Sequence, residues 1–284
     1  MTAKIIDGKA VAQRIRQNIQ LQVQSAVASG KRPPCLAVIL VGDDPASQVY
    51  VGHKAKACEA VGFKSLTFRL PASASESDLH AKLSELNQDP AVDGILLQLP
   101  LPSHLQRDRA LDLIAPAKDV DGLTPMNQGL LLAGRPALYP CTPLGVMTLI
   151  EETQIPLRGK LAAVVGQSIL VGAPVSVMLS KAGATVININ SKTVEPHRLT
   201  AQADILVAAA GVKHLITSSW IKPGAIVIDV GIHRGADNRL TGDVAYDEVA
   251  KIAGFLTPVP GGVGPMTIAM LLKNCLAAWN NNIL

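Results

Sequence analysis

The chain has 284 residues, 48% hydrophobic, 17% charged and 3% aromatic, with 26 Lys and Arg against 22 Asp and Glu. That length accommodates two domains, the composition excludes a disordered or fibrous chain, and cores so poor in aromatics must be filled by Val, Ile, Leu and Ala, as in parallel sheets covered by helices. A net charge of +4 is too small and dispersed for a nucleic-acid footprint but suits a polyanionic small molecule.

A helix is predicted from the Asp7-Gly8 start towards Gly30, and Pro33 and Pro34 end the connection. Cys35 to Val41 is a near-continuous apolar run, read as a buried strand, followed by the turn Gly42-Asp43-Asp44-Pro45 and a helix starting near Pro45. Lys64 to Leu70 alternates as a second strand. Ser75 to Asn87 is helical, with Ser75 and Asp78 resembling a cap, and Gly94 to Leu99 is a third strand ending at Pro100. The β-α-β-α-β order implies a parallel sheet whose ligand site lies at the carboxyl ends of its strands.

From about Lys118 to Pro143 the chain becomes dense in Pro and Gly, which marks a crossing between domains, and a helix from Leu144 to about Thr153 carries the chain over. Alternation restarts with strand Lys160 to Val165, helix Val171 to Ala182, and strands Thr185 to Ile189, Ile205 to Ala209 and Ala225 to Val230. A last helix runs from Met266 to about Trp279. The expectation is an α/β protein of two α/β domains around a cleft: residues 1–140, completed by a C-terminal helix at 266–284, and a Rossmann-like domain at 141–265 with a mainly parallel sheet.

Cys35, Cys58, Cys141 and Cys275 show no C-x-x-C spacing and no histidine at ligand distance, which reads as buried free thiols in a reducing compartment, without a metal. The N-terminus has no signal core, and no run reaches about 18 apolar residues, so a cytoplasmic protein engaging neither membrane nor nucleic acid is expected.

Tyr50 and Lys54 stand four apart on the helix from Pro45, a spacing that can stack a planar ring and move a proton beside it. On spacing alone the pair equally fits an amphipathic helix with a half-buried Tyr and a solvated Lys. The strand Leu161 to Val165 leads into Gly166-Gln167-Ser168 and then a helix, the context of a dinucleotide turn in which small residues let backbone approach phosphate. Ser168 and Val171 hold the second and third glycine places of G-x-G-x-x-G, so a glycine-tight turn without a ligand also fits. The next strand ends in Asn188 to Thr193 with no carboxylate for ribose hydroxyls; Ser191, Lys192 and Thr193 instead suit a 2′-phosphate, which favours NADP over NAD.

Several segments resemble, in order and spacing, bifunctional 5,10-methylenetetrahydrofolate dehydrogenase/5,10-methenyltetrahydrofolate cyclohydrolase. They are Pro45-Ala46-Ser47 with Tyr50, Val51, Lys54, Lys56 and Ala57; Gly94 to Pro102; Lys118 to Gly122; Pro140 to Pro143; the Gly166 turn; and Pro258 to Thr267. The resemblance covers essentially the whole chain, and the combination of motifs is specific. It implies a dimeric enzyme that oxidises methylenetetrahydrofolate by hydride transfer to a nicotinamide and then hydrates the methenyl cation to 10-formyltetrahydrofolate, in a cleft between the domains. A relative with only one of these activities, and a dinucleotide-binding protein that keeps the fold without the chemistry, are the rival readings.

By the same resemblance Lys54 is the catalytic lysine, its pKa lowered by burial or by a neighbouring cation such as Lys56. Gln98 orients the amine without fixing it as an ammonium, Tyr50 packs on the folate, and Asp121 grips the amino-pyrimidine edge. Around the substrate, Leu99, Pro100, Pro260, Gly261 and Gly262 join Tyr50, Gln98 and Asp121. On the cofactor side the resemblance implies Gly166, Gln167, Ser168, Val171, Gly172, Pro174, Ser191, Lys192, Thr193, Ala210, Gly211, Ile232 and Thr267. Many family members carry Arg directly after the first glycine of the turn, where it pairs with the 2′-phosphate; Gln167 stands there instead, which keeps NAD open beside NADP. The apolar runs Ile205 to Gly211 and Ala225 to Gly231 are compatible with self-association into a homodimer.

Overall fold

Apolar runs without alternation leave a strand no face to give to water, so they belong inside a sheet. The computed structural model, which describes residues 2–235 and 238–280, buries Cys35–Val41, Ile205–Ala208 and Ile226–Asp229 at every position. In chain order the elements are β1 (Lys4–Ile5), α1 (Gly8–Ala28), β2 (Cys35–Val41), α2 (Pro45–Ala60), β3 (Lys64–Leu70), α3 (Glu76–Gln88), β4 (Gly94–Leu97), α4 (Arg107–Asp112), α5 (Pro125–Ala133) and α6 (Cys141–Glu151). They continue with β5 (Leu161–Val165), α7 (Gly172–Lys181), β6 (Thr185–Ile189), α8 (Pro196–Thr200), β7 (Ile205–Ala208), β8 (Ile226–Asp229), β9 (His233–Arg234), β10 (Leu240–Thr241), α9 (Tyr246–Val249), β11 (Phe255–Leu256) and α10 (Val263–Trp279). The chain divides into two compact units: Gln13–Cys141 with the chain from Ile268, and the residues up to Ala12 with Thr142–Thr267. Among the described residues no helix is long and apolar enough to cross a membrane.

The first unit is built on a parallel sheet in the order β3-β2-β4. Ala37, Ile39 and Val41 of β2 and Ile95 and Leu97 of β4 pack with Leu79, Leu83 and Leu86 of α3. α2 starts where its cap dictates: the Asp44 carboxylate accepts from the Ser47 N–H at 2.7 Å, and Pro45 occupies a first-turn place that needs no donor. α3 starts after a capping box in which Ser75 and Asp78 each accept from the other's backbone N–H. β4 ends at Leu97, two residues short of the expectation, although the Gln98 N–H still donates to the Ile39 carbonyl at 2.9 Å and keeps Gln98 at the carboxyl end of the sheet. The passage read as a crossing contains α5, which has its own punctuation: Thr124 caps Asn127, Pro125 follows, and Gly134 closes the helix at φ 70°.

The second unit holds a six-stranded parallel sheet in the order β1-β11-β8-β7-β5-β6. The chain leaves β5 to one side for β6 and returns to the other side as β7, so the order reverses at β5 and the turns after β5 and β7 share one crevice, as in Rossmann-like folds. β7 and β8 are interior strands, so Ile205–Ala208 and Ile226–Asp229 are spent on the sheet and offer no surface for self-association. β1, β9, β10 and β11 have two residues each, too few for a periodicity to register. α10 begins at Val263, three residues before the expected Met266, so Gly264 and Pro265 lie inside its first turn, where a missing N–H costs nothing.

Candidate active site

In the first unit α2 presents Tyr50 and Lys54 one turn apart, with Tyr50 49% exposed. Lys54 Nζ donates to Gln98 Oε1 at 2.9 Å, and Gln98 Nε2 donates to the Leu99 carbonyl at 2.6 Å, which turns the carboxamide oxygen onto the amine. Burial holds the Lys54 amine below the ordinary lysine range, against the opposing pull of Asp121, Cys141 and Cys58. The expected help from Lys56 does not enter: two positions on means about 200° around the helix, and Lys56 is exposed there. Half-buried Leu99 and exposed Pro100 follow Gln98 directly.

Burial also pushes the Asp121 carboxyl up, while Lys54 draws it down. The pair is thus driven from both sides towards its uncharged forms. Cys141, fully buried, donates from Sγ to the Val120 carbonyl at 3.2 Å, and burial followed by the Asp121 charge keeps its thiol protonated. The loop carrying Asp121 is fastened by Asp119, whose carboxylate accepts from the N–H groups of Gly122 (3.0 Å), Leu123 (3.2 Å) and Thr124 (2.8 Å) and from Asn127 Nδ2 (2.9 Å). Asn274 Nδ2 donates to the carbonyls of Val120 and Tyr139, both at 2.9 Å, and so clamps the residues just ahead of Asp121 and Pro140.

In the second unit Gly166 has φ 103°, and a Cβ there would stand 2.0 Å from the Ala209 carbonyl oxygen; a Cβ on Gly172 would stand 1.8 Å from the Gly166 carbonyl oxygen. Both places therefore require glycine. Gln167 folds back, Nε2 donating to the carbonyls of Gly166 (2.9 Å) and Val164 (3.3 Å), and the Ser168 hydroxyl accepts from the Val171 N–H at 3.3 Å. α7 then starts at Gly172 with no side-chain cap, and Pro174 is buried in its first turn. After β6, Thr193 Oγ1 accepts from the Asn190 N–H at 3.0 Å and Asn190 Oδ1 accepts from the Lys192 N–H at 2.9 Å, so Thr193 builds the turn while Ser191 and Lys192 are exposed on it. Ile232 is 50% exposed, and the Thr267 and Thr142 hydroxyls pair at 3.0 Å. Exposed Pro260 leads into Gly261, whose carbonyl accepts from the Lys9 N–H at 3.0 Å, and buried Gly262. The residues expected around the folate therefore divide: Tyr50, Lys54, Gln98, Leu99, Pro100 and Asp121 belong to the first unit, Pro260, Gly261 and Gly262 to the second.

Sequence models of the tetrahydrofolate dehydrogenase/cyclohydrolase catalytic domain and NAD(P)-binding domain match residues 6–121 and 140–283. The chain belongs to this family. It is 53% identical to the Bifunctional protein FolD of Bordetella petrii over 97% of this chain and 94% of that protein. Among solved structures, the bifunctional FolD methylenetetrahydrofolate dehydrogenase/cyclohydrolase of Campylobacter jejuni superposes with a TM-score of 0.96 at 47% identity, covering 98% of this chain and 99% of that one. The Trypanosoma brucei methylenetetrahydrofolate dehydrogenase-cyclohydrolase, solved with NADP and an inhibitor, gives a TM-score of 0.93 at 38% identity and covers 100% and 99% of the two chains.

The tetrahydrofolate dehydrogenase/cyclohydrolase family's dinucleotide fits the second unit. Gly166 and Gly172 bring the two ends of the turn after β5 into backbone contact, and α7 starts from that turn with no side-chain cap, a setting in which a helix start takes a phosphate. Ser191 and Lys192 supply a hydroxyl and a cation for a 2′-phosphate, whereas Gln167 spends its amide on its own turn. Sequence reasoning missed Asp119, Cys141 and Asn274. Asp119, three residues before Gly122, carried a readable turn signal; Asn274 acts over a separation in sequence that no local pattern records.

Proposed function

We propose that the chain oxidises 5,10-methylenetetrahydrofolate to 5,10-methenyltetrahydrofolate with NADP and hydrolyses the product to 10-formyltetrahydrofolate, as a homodimer in the cytoplasm. Residues 1–140 with the helix at 266–284 serve the folate, and 141–265 serve the cofactor. The observation that carries this reading is the buried Lys54 amine held at 2.9 Å by an uncharged carboxamide. An amine in that setting gives up its proton more readily than an exposed lysine does, which is what a general base requires.

Bound NADP supplies the hydride acceptor for the oxidation. In the hydration, Lys54 Nζ takes a proton from the water whose oxygen bonds to the methenyl carbon. The bond from that carbon to N5 then breaks as the ammonium returns its proton to N5, and the hydroxyl left on the carbon becomes the formyl C=O by releasing the second proton of the water to solvent. Gln98 aims the lone pair of the amine, Tyr50 stacks on the flat part of the folate, and Asp121 receives the amino-pyrimidine edge, with Leu99, Pro100 and the Pro260–Gly262 loop as further walls. Gly166, Ser168, Val171, Gly172 and Pro174 shape the phosphate turn; Ser191 and Lys192, on the turn that Thr193 closes, address the 2′-phosphate; Ala210, Gly211, Ile232 and Thr267 complete the cofactor side.

Lys54→Ala is expected to lower methenyl hydrolysis by about 10²–10⁴-fold while NADP still binds with unchanged affinity. The decisive assay follows methenyl absorbance without nicotinamide: wild-type decay no faster than buffer would reject the hydrolytic activity and leave a monofunctional dehydrogenase. Light scattering at micromolar concentration tests the homodimer, and a mass of one chain would contradict it.

A further inference from the structure

Beneath the turn after β7 lies a cluster of buried charge that the chemistry above does not use. Asp243, 0% exposed, accepts from the N–H groups of Ala210 (2.7 Å) and Gly211 (2.9 Å) through Oδ2, and its Oδ1 stands 2.7 Å from His233 Nε2. Its backbone is fixed in turn by Asp229, whose carboxylate accepts from the N–H groups of Gly231, Asp243 and Val244, each at 3.0 Å. Two glycines make room for the two acids: a Cβ on Gly231 would stand 2.2 Å from Asp243 Oδ1, and one on Gly242 would stand 1.8 Å from Asp229 Oδ2. Burial pushes Asp229 up to about 6 against the pull of those three N–H groups, so it stays mostly ionised at pH 7 as their acceptor.

The consequence is directional. The Ala209 N–H is already given to the Val165 carbonyl at 2.7 Å, so with Ala210 and Gly211 held by Asp243 three successive N–H groups are committed inside the protein. A turn in that state meets a ligand with carbonyl oxygens alone, which suit a hydrogen-bond donor and repel a phosphate. Resting on the NADP-dependent reading above, we infer that Asp243 is a positioning residue for the oxidation: it holds the Ala210–Gly211 turn as an acceptor-only surface for the amide and ribose of the nicotinamide half, leaving the phosphates to the Gly166 turn and to Ser191 and Lys192.

The test uses two ligands, NADP and 2′,5′-ADP, which keeps the 2′-phosphate and lacks the nicotinamide. Asp243→Ala is expected to weaken NADP by about tenfold or more, the scale of losing a charged hydrogen-bond acceptor, with 2′,5′-ADP within about twofold of wild type. Methenyl hydrolysis without nicotinamide should hold within about twofold while the KM for NADP rises. Should Asp243→Ala fail to fold by circular dichroism, Asp243→Asn, which keeps an acceptor oxygen but not the charge, is expected to show a smaller loss in the same direction, about threefold for NADP and none for 2′,5′-ADP. A greater loss for NADP than for 2′,5′-ADP supports the assignment, and no difference between the two ligands overturns it. A wild-type protein that oxidises no methylenetetrahydrofolate with NADP would instead refute the proposed function, a result visible before any variant is made.

Discussion

At the scale of single residues, the site depends on which protonation state burial favours. Lys54 works as a base only when neutral; burial favours that form, and Gln98 bonds the amine without bringing a charge against it. Gln98→Glu keeps the size of the side chain and places a carboxylate on the amine. An opposite charge at that range raises an amine's pKa by about one to three units, and each unit costs about tenfold in neutral base at any pH below it. Hydrolysis at pH 7 should therefore fall by at least about tenfold, and the rising limb of its pH profile should move to higher pH, with activity partly recovered there. A profile that drops in height without moving would show that Gln98 acts through packing and not through the charge state of Lys54. The pair itself was legible: spacing put Tyr50 and Lys54 on one helix face, and an apolar strand delivered Gln98 to its end. Of the two sources of lowered basicity that the sequence suggests, burial or a neighbouring cation, the structure supplies burial and leaves Lys56 exposed; the choice was not legible because burial is a tertiary quantity.

At the scale of elements, the loop between α4 and α5 shows how a carboxylate can be held where folding alone would not keep it. Asp119 is 1% exposed and answers three backbone N–H groups and the Asn127 amide, so the backbone that carries Asp121 has almost no freedom. Asp119→Ala leaves those donors buried without an acceptor, a loss of roughly 3 kcal/mol or more. The thermal midpoint should fall by about 5–10 °C, and the KM for the folate should rise as Asp121 loses its support. An unchanged KM in a destabilised variant would confine Asp119 to folding. Elements with strong local rules were readable at the sequence level: β2 and β3 occupy the expected residues, and α3 begins behind its capping box. Those that depend on distant partners were not, as β1 is a two-residue strand held by β11, and β11, equally short, is held between β1 and β8. α5 was hidden for a different reason, since the Pro and Gly that frame it were read as loop composition when they are a helix start and stop.

At the scale of the whole molecule, the proposed assignments have both activities share the folate groups, and only the oxidation need the cofactor turn. Lys54, Gln98 and Asp121, proposed to move the proton, aim the amine and receive the folate, lie in the three-stranded unit, and the glycine turn proposed for the cofactor lies in the six-stranded one. Hydrolysis consumes water and no nicotinamide, so damage confined to the turn should separate the reactions. Gly172 is the sharpest place to apply it: the nearest atoms to an added Cβ are the carbonyl oxygen and carbon of Gly166, at 1.8 and 2.7 Å, and both are backbone. A side chain could swing aside, but here the turn itself must open, displacing the backbone proposed to meet the phosphate. Gly172→Ala is expected to cut kcat/KM for NADP by about 100-fold, comparable to losing one or two charge-assisted hydrogen bonds. The methenyl decay measured without cofactor should stay within about twofold of wild type. Equal losses in both assays would mean that the turn is needed for the fold of the chain, and the division of labour between the two sets of residues would have to be given up.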